Sequence, residues 1–100
     1  MIYSEYKDLS TRINPVAILV NMFRDLHDTA PDSDYKTAGG RMAGIWKLCN
    51  PDLELAMRVI WATACLDIQG SHLDYITKAV SERVKKKPRK LAGSAGVEIV

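Results

Sequence analysis

The strongest constraint on the fold is the stretch from Asn50 to Lys90, in which apolar residues recur at the spacing of an α-helix. Its opening Asn-Pro pair predicts a helix start, because asparagine can accept a hydrogen bond from an orphan amide and proline suits the first helical position. The segment from Leu66 to Gly70 predicts a turn, and Ser71 with Asp74 three residues later predicts the cap of a second helix. The stretch therefore predicts a helical hairpin.

Two further helices are predicted before this hairpin. Asn14 and Pro15 repeat the Asn-Pro start, and the apolar residues after them stay on one helical side until the segment from Thr29 to Pro31 ends the pattern. Another helix is predicted from Asp32 to Asn50, with Asp32, Ser33 and Asp34 as its cap and first-turn residues. Residues 1–13 predict either a short amphipathic helix or an arm that orders on a partner, with one apolar face made of Ile2, Tyr6, Leu9 and Ile13.

The helix predicted from Asp32 to Asn50 contains two adjacent glycines. Gly39, Gly40 and Gly44 lie inside the helix predicted from Asp32 to Asn50, and each interior glycine costs about 1 kcal/mol relative to alanine. Either the helix breaks there, or the small residues let another helix approach closely. Between the two, we favour the close approach.

The fold class expected from these patterns is all-α, a compact bundle of four main helices in two helical hairpins, with a short fifth helix at the N-terminus as an open alternative. A chain of 100 residues has the size of one domain. We expect an N-terminal arm or short helix at 1–13, a helical domain at 14–84 and a basic, flexible tail at 85–100.

Charge is distributed unevenly along the chain. Residues 1–82 hold 8 Lys and Arg against 11 Asp and Glu, whereas residues 83–100 hold 6 against 1. A mildly acidic body with a basic end favours attraction to a polyanion, and a tail that only solvates the protein is the competing interpretation.

Several functional classes lack a sequence signal. No apolar run approaches the roughly 18 to 20 residues that span a bilayer, and no signal sequence follows Met1, so a cytoplasmic protein is expected. Cys49 and Cys65 have no zinc spacing and are predicted to be reduced core thiols. His27 and His72 are isolated in sequence, and no nucleophile, base or paired-carboxylate motif is present. We therefore expect no enzyme activity, no cofactor and no metal, although a Cys/His site assembled in space stays open.

A helix-turn-helix is one functional interpretation of the hairpin. It would place Ala62 and Leu66 inward on the first helix, Ile68 in the turn, and Leu73 and Ile76 inward on the second. The face presented to the DNA major groove would then consist of Ser71, His72, Asp74, Tyr75 and Lys78.

The order of elements resembles a known family. A helix with an Asn-Pro start, a helix ending in IWKLCN, a helix opening PDLELAMRVIWATA and a last helix SHLDYITKAV followed by lysines are similar to the C-terminal module of DnaD-like replication initiation proteins. Such modules occur in bacterial primosomes and phage replisome organisers that work beside a helicase loader. The likeness covers roughly Asn14 to Lys90. In the family's last helix a Tyr, an aliphatic residue and a Trp follow at intervals of four, and here those positions hold Tyr75, Ala79 and Arg83.

The resemblance implies DNA binding through the last helix and the basic segment after it. The candidate DNA-binding residues are Tyr75, Lys78, Lys85, Lys86, Lys87, Arg89 and Lys90, among which Lys78 comes from the exposed face described above. The expected function is a non-enzymatic DNA-binding or replication accessory module of bacterial or phage type, largely without sequence specificity, with DNA and a helicase loader as partners. The alternatives are a self-association or adaptor module, in which the N-terminal stripe and Trp46 or Trp61 form an apolar patch, and a sequence-specific helix-turn-helix regulator.

Overall fold

The computed structural model describes residues 2–86 and contains five α-helices in that range. They are α1 (Tyr3–Leu9), α2 (Pro15–Leu26), α3 (Tyr35–Cys49), α4 (Leu53–Thr63) and α5 (His72–Lys86). No strand occurs among the described residues, so the all-α prediction is confirmed. The N-terminal segment, predicted as an arm or a short helix, forms the short helix α1. Helix α5 continues two residues beyond the predicted end of the helical domain at Val84. Within residues 2–86, no helix has the length and apolar character needed to cross a membrane.

The core lies between α2, α3, α4 and α5. Helices α3 and α4 contact each other, and both α2 and α5 pack against this pair. Helix α1 lies against α2 and contributes Tyr6, which is 1% exposed. The largest buried side chains come from all five helices and include Tyr6, Phe23, Met42, Met57, Ile60, Leu73 and Ile76. The helical periodicity of the apolar residues therefore accounts for the core.

The cap predicted for α2 is confirmed, whereas the start predicted for α4 is wrong. Asn14 Oδ1 accepts a hydrogen bond from the Ala17 amide at 2.8 Å. Asn50, in contrast, closes α3, because its amide donates to the Trp46 carbonyl at 2.8 Å. The chain still follows the last turn of α3 at that point, and Asp52 caps α4 instead through a bond from the Leu55 amide.

The acids before α3 have separate roles. Asp34 caps α3 by accepting from the Thr37 amide at 2.9 Å, so Asp32 does not lead this helix as predicted. Asp32 Oδ2 instead accepts from Ser71 Oγ at 2.6 Å and from the Leu73 amide at 3.3 Å. Ser71 Oγ in turn accepts from the Asp74 amide at 3.1 Å, which confirms the predicted cap. A residue from the α2–α3 connection therefore helps to hold the first turn of α5.

Neither interpretation of the two glycines is correct. Helix α3 passes through Gly39 and Gly40 without a break. A methyl group placed on either residue would meet no atom within 4 Å outside the local helix backbone, so no other helix approaches closely there. These glycines are tolerated by α3 because its neighbours on the helix, including the buried Ala38 and Met42, anchor it to the core.

The prediction of two core thiols holds only for Cys49. Cys49 is buried at the end of α3, whereas Cys65 is exposed. Helix α4 ends at Thr63, so the helical spacing that placed Cys65 on the apolar face no longer applies. The last buried residue of α4 is Thr63 itself, whose hydroxyl donates to the Val59 carbonyl at 2.7 Å.

Candidate nucleic-acid interface

The exposed face of α5 brings four of the predicted DNA-binding residues together. Positions 73, 76 and 80 are buried, so the opposite side of the same helix carries Tyr75, Lys78, Lys85 and Lys86 to the surface. Tyr75 is 45% exposed. The other predicted residues, Lys87, Arg89 and Lys90, lie outside the described residues, as does the tail predicted at 85–100 apart from Lys85 and Lys86, which belong to α5.

Two shallow surface grooves follow this face. One runs over α5 itself, where Tyr75, Lys78, Ala79, Glu82 and Arg83 line it. The second lies between α3 and α5 and shares Lys78 and Glu82 with the first. Its remaining lining residues are Arg41, Leu48, Asp74, Thr77, Ser81 and Lys85. Both grooves are open to solvent, so they suit an extended ligand better than an enclosed small molecule.

The charge on this surface is mainly positive. Within α5, Lys78, Arg83, Lys85 and Lys86 stand against Asp74 and Glu82. The Asp74 carboxylate forms an ion pair with the Arg41 guanidinium at 2.7 Å, so a cation from α3 offsets the acid nearest the start of the face. Arg41 also donates to Thr77 Oγ1 at 3.2 Å, which orients it along α5. A free carboxylate at this place would repel phosphates, and the pairing of Asp74 reduces that effect.

Arg83 occupies the position at which the DnaD-like pattern has tryptophan. Its side chain is exposed and donates to the Ala79 carbonyl, one turn earlier, at 3.3 Å. The position therefore points to solvent and adds a cation to the same face as Lys78 and Lys86.

The helix-turn-helix geometry predicted for α4 and α5 is wrong. Residues 64–71 connect the two helices, a length of eight residues, whereas the motif uses a turn of about three or four. Ala62 and Leu66 are exposed instead of facing inward, while Leu73 and Ile76 are buried as predicted. The second half of the prediction held because Leu73 and Ile76 follow the true period of α5. The first half failed because α4 ends before Leu66 and because Ala62 lies on the exposed side of α4.

Only part of the apolar patch predicted from the N-terminal stripe is exposed, because Leu9 and Ile13 pack against the core. Trp61 is 37% exposed and meets Tyr3 edge-on with ring centroids 5.6 Å apart. Ile2 is 63% exposed beside α1, whereas Trp46 is half-buried against the core. Tyr6 also contacts Trp61, but Tyr6 is buried and packs on the core side of the Trp61 ring.

One pair of polar residues was not predicted at all. The Nδ1 atoms of His27 and His72 lie 2.9 Å apart, and His27 is buried with its ring stacked on Phe23. Burial lowers the pKa of His27, although a hydrogen bond with the Ile60 carbonyl acts in the opposite direction. The two histidines are 45 positions apart in the sequence, and no motif links them. Among residues 2–86, no cluster of three or more His, Cys, Asp or Glu side chains is placed to hold a metal ion.

Known proteins add no family or fold assignment to this geometry. Comparison of the chain with family models, with curated proteins and with solved structures finds no match. The similarity to DnaD-like proteins therefore stays a prediction from the sequence pattern. The functional assignment depends on the chemistry of the α5 surface.

Proposed function

We propose that this chain is a non-enzymatic module that binds DNA, largely without sequence specificity, through the exposed face of α5 and the basic residues that follow it. The observation that carries the proposal is the alignment of exposed Tyr75 with Lys78, Arg83 and Lys86 on one side of a single helix. The proposal is supported by the Arg41 ion pair, which offsets the charge of Asp74 on the same surface.

Such a surface suits the DNA backbone rather than particular bases. Each lysine or arginine that neutralises a phosphate releases condensed counterions, and this attraction does not depend on sequence. Lys87, Arg89 and Lys90 extend the cationic run in the sequence beyond α5. An exposed tyrosine adds a planar contact for an unpaired base, worth about 1 to 3 kcal/mol in other proteins. We therefore infer weak, salt-sensitive binding, with a contribution from Tyr75 that favours single strands.

A role as a replication accessory protein of bacterial or phage type follows from the DnaD-like order of elements. In this role the chain would place DNA beside a second replication protein such as a helicase loader. The support for this part is the sequence resemblance alone, whereas DNA binding is also supported by the surface of α5.

Fluorescence anisotropy with single- and double-stranded oligonucleotides at two salt concentrations tests the proposal. Lys78→Gln should weaken binding to both DNA forms and make the slope of log K against log salt shallower by about 0.7 to 0.9. Tyr75→Ala should weaken binding to single strands more than to duplexes. Arg12→Gln, the matched control, removes one charge from an exposed residue outside α5 and should leave both affinities unchanged.

A chain ending at Val84 provides the decisive comparison, because it lacks Lys85, Lys86 and the basic residues after them. Its binding to either DNA form should largely disappear, while its helical circular dichroism should be retained. Binding of this shortened chain as tight as that of the full chain would contradict the proposal. A competition experiment with random duplexes addresses the sequence-specific alternative, which requires one duplex to outcompete the others.

A second candidate function is self-association or adaptor binding through the surface around Trp61. The observation that favours it is the exposure of Ile2 and Trp61 beside Tyr3. Charged side chains surround this patch. Arg58 and Lys7 each form an ion pair with the Glu54 carboxylate nearby, at 2.9 Å and 3.3 Å. This patch would therefore present a small apolar centre with a polar rim.

A further inference from the structure

His27 and His72 connect two helices that both pack mainly on the α3–α4 pair. His27 ends α2, and His72 is the first residue of α5. Their Nδ1 atoms are 2.9 Å apart and their rings are nearly perpendicular, at 85°. The contact therefore ties the start of α5 to the end of α2.

The neighbours of His27 determine where its proton lies. Its Nε2 is 3.1 Å from the Ile60 carbonyl oxygen, which can only accept, so Nε2 carries a hydrogen. Thr63 agrees with this assignment, because its hydroxyl donates to the Val59 carbonyl and leaves its lone pairs for His27 Nε2 at 3.3 Å. In neutral His27 the Nδ1 atom is therefore an acceptor, and His72 Nδ1 must be the donor.

The charged groups around the pair come from few elements. The charges that act on His27 are His72 on α5 and Asp32 in the α2–α3 connection. From α4 it meets the Ile60 carbonyl and the Thr63 hydroxyl, which do not titrate in this range. Asp74 on α5 is engaged with Arg41 of α3. One carboxylate, that of Asp32, is therefore available to balance a single imidazolium.

We propose that His27 and His72 form a proton-sensitive latch that holds the first turn of α5 against the ends of α2 and α4. A proton added to His72 at Nε2 leaves the Nδ1–H···Nδ1 bond intact. Once His72 carries a hydrogen on both ring nitrogens, a further proton added to His27 can enter only at Nδ1, where it faces the Nδ1 hydrogen of His72. The bond is then lost and two positive rings face each other, so the start of α5 separates from α2.

The direction of the pH effect follows from the environment of His27. Burial, assisted by the charge of His72, holds the pKa of His27 below its ordinary value of 6.5, which outweighs the raising effects of the Ile60 carbonyl and Asp32. The folded protein therefore binds this proton less readily than the unfolded chain does. The latch is closed above about pH 6.5 and opens as the pH falls through the lowered value.

Nuclear magnetic resonance of the full chain between pH 8 and pH 4.5 tests the latch. At pH 8, imidazole ¹⁵N spectra should show a hydrogen on Nε2 of His27 and on Nδ1 of His72. On acidification, the first-turn amides of α5, such as that of Tyr75 bonded to the Ser71 carbonyl, should lose about tenfold or more of their protection against hydrogen exchange. Amides in the middle of α4 should keep theirs.

His72→Asn is the informative variant. Its side-chain amide can donate to neutral His27 and, after turning over, accept from protonated His27, so the bond survives in both states. The acid-induced loss of protection in α5 should therefore disappear in this variant. The variant keeps all carboxylates, so protonation of a carboxylate would still cause the loss. An equal loss in this variant would overturn the proposal. Should the variant fail to fold, the wild-type tautomers decide, because a hydrogen on Nδ1 of His27 at pH 8 contradicts the latch.

Discussion

The phenol of Tyr6 links α1 to α2. The side chain is 1% exposed, and its hydroxyl donates to Asp25 Oδ2 at 2.9 Å. Burial, together with the hydrogen bond and charge of Asp25, raises the pKa of Tyr6 to about 12. The neutral phenol is therefore favoured in the folded protein over the unfolded chain.

Replacement of Tyr6 by phenylalanine should reduce the free energy of unfolding by about 1 to 2 kcal/mol at neutral pH, because Asp25 loses its donor. Since the folded pKa is raised, the stabilisation is complete below about pH 10 and is lost as the pH rises towards 12. The wild type should therefore lose more stability over this range than Tyr6→Phe does. Urea unfolding at several alkaline pH values, with ultraviolet titration of the phenols, measures both effects.

Tyr35→Phe serves as the control for this experiment. Tyr35 is 64% exposed and stacks under the Arg24 guanidinium with its ring, which phenylalanine retains. Its unfolding curve should match that of the wild type at neutral pH. An alkaline loss of stability as large in Tyr6→Phe as in the wild type would show that Tyr6 does not account for it.

At this scale the sequence identified which residues face the core more readily than which polar atoms meet. Tyr6 was placed on the apolar face by its helical spacing, but its partner Asp25 lies 19 positions away. His27 and His72 also lie far apart in the sequence, so nothing in the sequence pattern predicts their contact. A hydrogen bond between distant residues depends on how helices cross, and periodicity within one helix contains no information about that.

The two adjacent glycines of α3 lead to a prediction for the whole helix. Gly39→Ala and Gly40→Ala should each raise the free energy of unfolding by about 0.5 to 1 kcal/mol, because alanine loses less backbone entropy and a methyl group has free space at both positions. Thermal unfolding followed by circular dichroism should show higher midpoints, with the largest increase in the double variant.

Gly70→Ala is the matched control with the opposite sign. Gly70 has φ of +83°, a conformation that alanine adopts at a cost of about 1 to 2 kcal/mol. This variant should therefore lower the melting temperature. If Gly39→Ala and Gly40→Ala lower it as well, α3 does require small residues there, and the open space around them is misleading.

Helix starts were predicted well where only one capping residue was available. Asn14 satisfied this condition and capped α2 as expected. Before α3 and α4, several residues competed: Asp34 rather than Asp32 caps α3, and Asp52 rather than Asn50 caps α4. Asp32 instead accepts a hydrogen bond from the Leu73 amide in the first turn of α5. This is a tertiary contact, which local capping rules do not include. The exposed face of α5 was predictable because it depends on the helical period alone.

Within residues 2–86, exposed large apolar side chains are distributed over several elements rather than gathered on one helix. Ile2 precedes α1, Leu66 lies in the α4–α5 connection, and Trp61 and Tyr75 lie on α4 and α5. Single exposed apolar residues are ordinary on monomeric proteins. We therefore expect the purified chain to be monomeric.

Sedimentation velocity over a wide concentration range should show a species of 11.2 kDa throughout. The companion variant is Trp61→Arg, which removes the centre of the second candidate surface and should sediment in the same way. A concentration-dependent dimer that disappears in Trp61→Arg would favour self-association over the monomer.

The bond between Asp32 and the first turn of α5 limits how far the molecule can be divided. A peptide containing only α4 and α5 would include every described residue of the proposed DNA surface, yet it would lack the carboxylate that receives the Ser71 hydroxyl and the Leu73 amide. It would also lack Arg41, the partner of Asp74. Excision of this hairpin would therefore release a frayed helix with a more acidic start, and a minimal active fragment must begin before Asp32.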